Sequence, residues 1–120
     1  MISILYVDDD ADIREIADIA LSLDPDLDVR LCASGEDAVA LAATWRPALI
    51  MLDFMMPGMD GPATLHALRA QAETRNIPIV FITARSSDRD IATLLALGAE
   101  GVLAKPFDPM TLAAEARQFL

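Results

Sequence analysis

Ile2-Ser3-Ile4-Leu5-Tyr6-Val7-Asp8-Asp9-Asp10 is an apolar run that stops abruptly on three carboxylates. A half-exposed strand alternates apolar and polar residues, so a continuous run of this kind suits a parallel strand covered on both faces. Similar runs recur at Ala48 to Leu52, Ile77 to Ile82 and, more briefly, Val102 to Ala104. Asp28 to Cys32 alternates instead: Val29 and Leu31 are apolar while Asp28 and Arg30 are charged, which predicts a strand at the sheet edge.

Between these runs the apolar residues fall at helical spacing. The stripes are Ile13, Ile16, Ala17, Ala20; Ala38, Leu41, Ala42, Trp45; Leu65, Leu68, Ala72; Ile91, Leu94, Leu95; and finally Leu112, Ala116, Phe119. Ser34 with Asp37, Asp60 before Gly61-Pro62, Ser87 with Asp90, and Asp108 before Pro109 predict helix starts, and Gly98 predicts a stop. Five strands thus alternate with five helices. Right-handed crossovers and short loops make this an α/β, (βα)5 doubly wound domain, with a parallel sheet between two helical layers. Placing the edge strand beside the first gives the order 2-1-3-4-5.

The chain has 120 residues, 54% of them hydrophobic, enough for one core and too few for a second domain, so residues 1–120 are read as one unit. Nineteen Asp and Glu against nine Lys and Arg leave a net charge of -10, which repels phosphate backbones and anionic lipid. Direct contact with nucleic acid or membrane is therefore not expected. A single Cys32 forms no internal disulfide, and with the lone His66 it is too little for a four-ligand zinc site. No basic leader or cleavage pattern precedes Asp8, and the expected location is the cytoplasm.

In open α/β sheets ligands bind beyond the carboxyl ends of the strands, where the strand order reverses. Asp8 and Asp9 follow the first strand there, Asp53 the third, Thr83 the fourth and Lys105 the fifth. Three carboxylates in one cleft repel unless a cation neutralises them, and an all-oxygen site with few protein ligands suits Mg²⁺. Lys105 and Thr83 suit phosphoryl oxygens, as a point charge and a hydroxyl donor. Asp53, facing both, is the candidate nucleophile toward phosphorus, and the loop from Phe54 to Gly61 can offer backbone carbonyls to the ion.

Val7-Asp8-Asp9-Asp10, Leu52-Asp53 with Met56-Pro57-Gly58-Met59-Asp60-Gly61, Thr83-Ala84 and Lys105-Pro106-Phe107 together resemble the receiver domain of bacterial two-component response regulators, of the single-domain chemotaxis type. The resemblance runs over essentially the whole chain and implies a flavodoxin-like fold. It implies that Asp53 accepts a phosphoryl group from a sensor histidine kinase or a histidine phosphotransfer protein. Asp8, Asp9, Asp53 and the Met55 carbonyl would hold Mg²⁺, and Thr83 and Lys105 the phosphoryl oxygens. The face formed by helix four, strand five and helix five would carry the signal to a downstream protein, with homodimerisation on phosphorylation left open. Such a domain is not an enzyme in the conventional sense, although it takes part in its own phosphorylation and dephosphorylation. Three residues before Lys105, where many members carry Tyr or Phe, this chain has Val102. The Lys105-Pro106 bond is commonly cis in the family, which the residues alone do not decide.

Two alternatives stand beside this reading. A haloacid-dehalogenase-like phosphatase would use Asp8 and Asp10 as an Asp-x-Asp pair, but Asp12 replaces its usual Thr and no room remains for a cap. A phosphorylation-independent pseudo-receiver is the other, with Val102 in its favour and the full Asp8, Asp9, Asp53, Thr83 and Lys105 set against it. With Leu120 expected to close the fifth helix, the chain is read either as a stand-alone regulator or as a receiver cut from a larger regulator or hybrid kinase.

Overall fold

A computed structural model describes residues 1–120 as β1 (Ile2–Val7), α1 (Ala11–Ser22), β2 (Leu27–Cys32), α2 (Gly35–Trp45), β3 (Leu49–Asp53), α3 (Gly61–Ala70), β4 (Ile79–Thr83), α4 (Asp88–Ala96), β5 (Gly101–Ala104) and α5 (Leu112–Arg117). All strand pairs are parallel, in the order β2-β1-β3-β4-β5, so the predicted topology stands and the alternating strand is at an edge.

Successive side chains on a strand point to opposite faces, and the two cores follow that parity. Leu5, Val7, Ile50, Leu52, Ile79 and Phe81 pack with Ala38, Ala42, Leu65, Leu68 and Leu94 of α2, α3 and α4. Ile4, Tyr6, Leu49, Met51, Val80 and Ile82 pack with Ala17, Ala20, Leu21, Leu112 and Ala116 of α1 and α5. The central strands are apolar on both faces because both faces are covered. No helix is long and apolar enough to cross a membrane.

Register carries the same parity to the rim. Val7 pairs with Leu52, Asp53 with Ile82 and Thr83 with Ala104, so the next residues along these strands emerge side by side. Backbone bonds continue the ladder beyond the strands, from Asp8 N to Cys32 O (3.1 Å), Phe54 N to Ile82 O (3.0 Å) and Lys105 N to Thr83 O (2.9 Å).

Several predicted boundaries move for identifiable reasons. β4 begins at Ile79, not Ile77: Pro78 has no N–H to give a ladder, and the Ile79 N–H is met by the Glu100 carboxylate at 2.8 Å. Ala72 lies outside α3. The buried Thr74 hydroxyl occupies the Leu68 carbonyl that another helical turn would use, and Gln71 is extended. Asp108 opens a turn and not a helix, its carbonyl accepting from both Thr111 and Leu112 before α5 starts. Phe119, predicted on the last stripe, lies beyond α5 yet still packs on the second core. Ile16 and Leu95, placed on apolar stripes, are 43% and 42% exposed; Ala17, Ala20 and Leu21 on α1 and Leu94 on α4 take the buried positions. Ser34, Asp60 and Ser87 cap α2, α3 and α4 as predicted, and Gly98, at φ 111°, follows α4 in a conformation that L side chains rarely adopt.

Gly61 ties α3 to the rim. A Cβ there would lie 2.8 Å from the Cα and carbonyl oxygen of Phe54 and 2.9 Å from the Asp53 carbonyl, all backbone that no rotamer change can clear. Gly61→Ala is therefore expected to destabilise the fold by about 1–3 kcal/mol in urea unfolding, as forced overpacking does. A change within ~0.5 kcal/mol would show that the loop after β3 yields freely.

Candidate functional site

Three strand-end carboxylates share one cleft. Asp8 is fully buried and Asp53 nearly so, while Asp9 is exposed, and one oxygen from each lies within 4.8 Å of the others. The cleft, of about 540 Å³, is further lined by Asp10, Met55, Thr83, Ala84, Arg85, Lys105 and Pro106. Every residue predicted for the site is thus brought to it.

Parity explains how they meet. Asp8, Asp53 and Lys105 continue the alternation of Tyr6, Met51 and Leu103, on the α1/α5 side, whereas Thr83 continues that of Phe81, toward α4. Lys105 Nζ lies 3.0 Å from Asp8 Oδ2 and 3.4 Å from Asp53 Oδ2, one ammonium between two carboxylates. Its bond to Pro106 is cis. Thr83 sits on the opposite wall, where its Oγ1 accepts the Arg85 N–H at 3.0 Å.

The carboxylates are held by backbone. Asp10 N donates to Asp8 Oδ1 at 2.9 Å, and Met55 N to Asp53 Oδ1 at 3.4 Å. Asp10 itself faces away from this work: its Oδ1 accepts the Asp12 and Ile13 amides, capping α1. The Asp8/Asp10 pair that a dehalogenase-like site requires is therefore divided between two tasks. His66 is exposed on α3, and Cys32 is buried at the end of β2.

Two side chains that motif reading did not single out also serve the site. The Tyr6 hydroxyl, buried beneath the cleft, donates to Asp8 Oδ2 at 3.4 Å. Arg14 Nη1 donates to the Asp8 carbonyl at 2.8 Å, bracing the turn into α1. A tyrosine within an otherwise aliphatic run was the available signal for the first; an Arg on a helix offered none for the second.

Electrostatically the site is short of positive charge. Burial, reinforced by the Asp8 charge, pushes the Asp53 carboxyl up to about 6 despite Lys105 and the Met55 amide, which pull it down. Burial also works against the Lys105 charge, but the hydrogen bond to Asp8 and the attraction of Asp53 and Asp8 outweigh it, so the ammonium titrates above its usual range. Three hard oxygen donors converging with one cation to offset them fit a divalent ion such as Mg²⁺. Phe54, edge-to-face on Phe81 at 5.7 Å, seals the apolar side.

Comparison with known proteins bears on the same residues. Residues 4–117 match the family described as the response regulator receiver domain. The probable transcriptional regulator ycf27 of Porphyridium aerugineum is 39% identical over 117 residues, covering 98% of this chain and 47% of that protein. Response regulator Rre1 of Synechocystis is 38% identical over 119 residues, covering 99% and 52%. The chain spans about half the length of the curated relatives it matches. Among solved structures, the chemotaxis response regulator CheY4 of Vibrio cholerae superposes with a TM-score of 0.91 at 34% identity, covering 100% of this chain and 99% of that one. The receiver domain of a signal transduction histidine kinase from Syntrophus aciditrophicus gives 0.85 at 31% identity, covering 100% and 90%.

The Asp53 environment has a thermodynamic consequence. Its carboxyl binds a proton more tightly folded than unfolded, where an Asp titrates near ~4, so ionised Asp53 costs stability. That cost is fully present above pH ~6 and vanishes below pH ~4. Without divalent ions, Asp53→Asn should raise stability at pH 8 by about 1–2 kcal/mol, allowing for solvent in the open cleft, and give no gain at pH 4. Urea unfolding across this range checks it; a gain independent of pH would contradict it.

Proposed function

Because this chain belongs to the response regulator receiver family, we propose that it is a phosphorylation-switched signalling domain whose acceptor is Asp53. The observation that carries this reading is the placement of a nearly buried carboxylate at the strand-order reversal, with Lys105 Nζ at 3.4 Å and two further carboxylates beside it. The donor is a phosphohistidine of a sensor histidine kinase or histidine phosphotransfer protein. An Asp53 carboxylate oxygen forms the new bond to phosphorus as the phosphorus–nitrogen bond of the donor breaks, and the imidazole nitrogen departs with the electron pair.

Each residue has a task in this transfer. Asp8, Asp9, Asp53 and the Met55 carbonyl hold Mg²⁺. When bound, the ion supplies positive charge that offsets the carboxylates and the phosphoryl oxygens. Lys105 exchanges a carboxylate partner for a phosphoryl oxygen, and the Thr83 hydroxyl turns from the Arg85 amide to donate to another. Asp8 and Asp53 sit on strands whose backbone is fully paired, so the geometry is set before the donor arrives.

The new charge would then favour a second arrangement of α4, β5 and α5, which the phosphoryl group must bind more tightly than the first. The readout partner is a protein that recognises this face, and pairing of two copies through it is an available output. Acting only on itself, the domain is not an enzyme in the conventional sense. A net charge of -10 is the reason for assigning nucleic-acid contact, where a longer protein makes it, to another domain, and a cytoplasmic location suits a kinase-fed switch.

Intact mass after incubation with a small acyl phosphate, with and without Mg²⁺, tests the proposal on wild type and Asp53→Asn. One phosphoryl adduct requiring both Mg²⁺ and Asp53 is expected. No adduct under any condition would overturn the acceptor assignment and favour a binding-only receiver; sustained hydrolysis of a small phosphate ester would favour a phosphatase.

A further inference from the structure

Asp8 Oδ2 has two donors. Lys105 Nζ is 3.0 Å away and the Tyr6 hydroxyl 3.4 Å, while Oδ1 is taken by the Asp10 amide. In the transfer described above Lys105 serves a phosphoryl oxygen, which leaves Tyr6 as the side-chain donor remaining on that oxygen. Tyr6 is wholly buried, so its hydroxyl has no water to turn to, and a buried hydroxyl without a partner is costly.

The ring of the same residue reaches the other way. It meets Phe107 edge-to-face, with centroids 6.4 Å apart and planes at 70°. Phe107 follows Lys105-Pro106 in the chain, so one rigid side chain touches both a rim carboxylate and the loop carrying the rim lysine. Val102, at the position where an aromatic side chain was expected, packs against the α2/α3/α4 core and offers no such connection.

We propose that Tyr6 is a positioning residue of the site, fixing the Asp8 carboxylate through its hydroxyl and tying that orientation to the Lys105–Phe107 loop through its ring. This deepens the reading of the site as an Mg²⁺-dependent phosphoryl acceptor and rests on it. Tyr6 touches no reacting atom.

The test exploits the fact that the chain has one tyrosine, so ring-labelled [¹³C]tyrosine yields a single NMR signal without assignment. In wild type this signal should move on titration with Mg²⁺ alone, and again on replacing Phe107 by Leu. Tyr6→Phe keeps the ring and loses only the hydroxyl. Its Mg²⁺ affinity by calorimetry should fall about five-fold, the loss of one hydrogen bond to a charged group, with the melting temperature within ~3 °C of wild type. A tyrosine signal indifferent to Mg²⁺, or a Tyr6→Phe protein binding Mg²⁺ within two-fold of wild type, would overturn the proposal. Should Tyr6→Phe fold poorly, the wild-type signal decides alone. Wild type that binds Mg²⁺ but takes no phosphoryl group would sink the acceptor reading and leave this one standing on the metal data; no Mg²⁺ binding at all would overturn both.

Discussion

Two buried carboxylates and a single ammonium govern this molecule. Asp8 and Asp53 stand at the ends of adjacent central strands, and Lys105 holds both within 3.0 and 3.4 Å. Burying two like charges side by side is unfavourable, and the burial that pushes Asp53 up to about 6 records the cost. The fold tolerates it because β1 and β3 are locked in register by apolar packing on both faces, so the carboxylates cannot drift apart to reach water. Cation demand is thus built in by strand pairing, and Lys105, arriving from a different edge of the sheet, meets only part of it.

What the sequence made legible follows from that same register. Apolar runs long enough for doubly covered strands and the residues terminating them were readable, because parallel pairing sends those residues to one rim whatever the loops do. Asp8, Asp9, Asp53, Thr83 and Lys105 all arrive there. Helix limits were less legible, since they depend on partners distant in sequence. Thr74 ends α3 by capturing the Leu68 carbonyl, and Glu100 supplies the Ile79 amide across the sheet. No local pattern announces either. Tyr6 escaped notice for a related reason: within Ile2–Val7 a tyrosine reads as one more strand residue, and only the placement of Asp8 above it and Phe107 beside it gives its hydroxyl a task.

A similar dependence on distance holds at the opposite end of the sheet. Arg69 donates to the carbonyls of Arg75, Ile77 and Gly98 and pairs with Glu100, joining the end of α3 to the entrances of β4 and β5. Most of these are bonds from a charged donor to backbone, which survive screening better than an exposed ion pair alone. The strands are therefore pinned at their starts by a fork of hydrogen bonds and at their ends by a charge arrangement that can be rearranged.

Strand parity sends Asp8, Asp53 and Lys105 toward one helical layer and Thr83 toward the other. The sheet is an insulating partition between two cores that share no side-chain packing of their own, and the rim is where its two sides meet. Any group seated there has a hand on each side of the wall. The domain is in that sense a two-channel device with a common input, and substitutions deep in one layer offer a way to silence one channel while the other still responds.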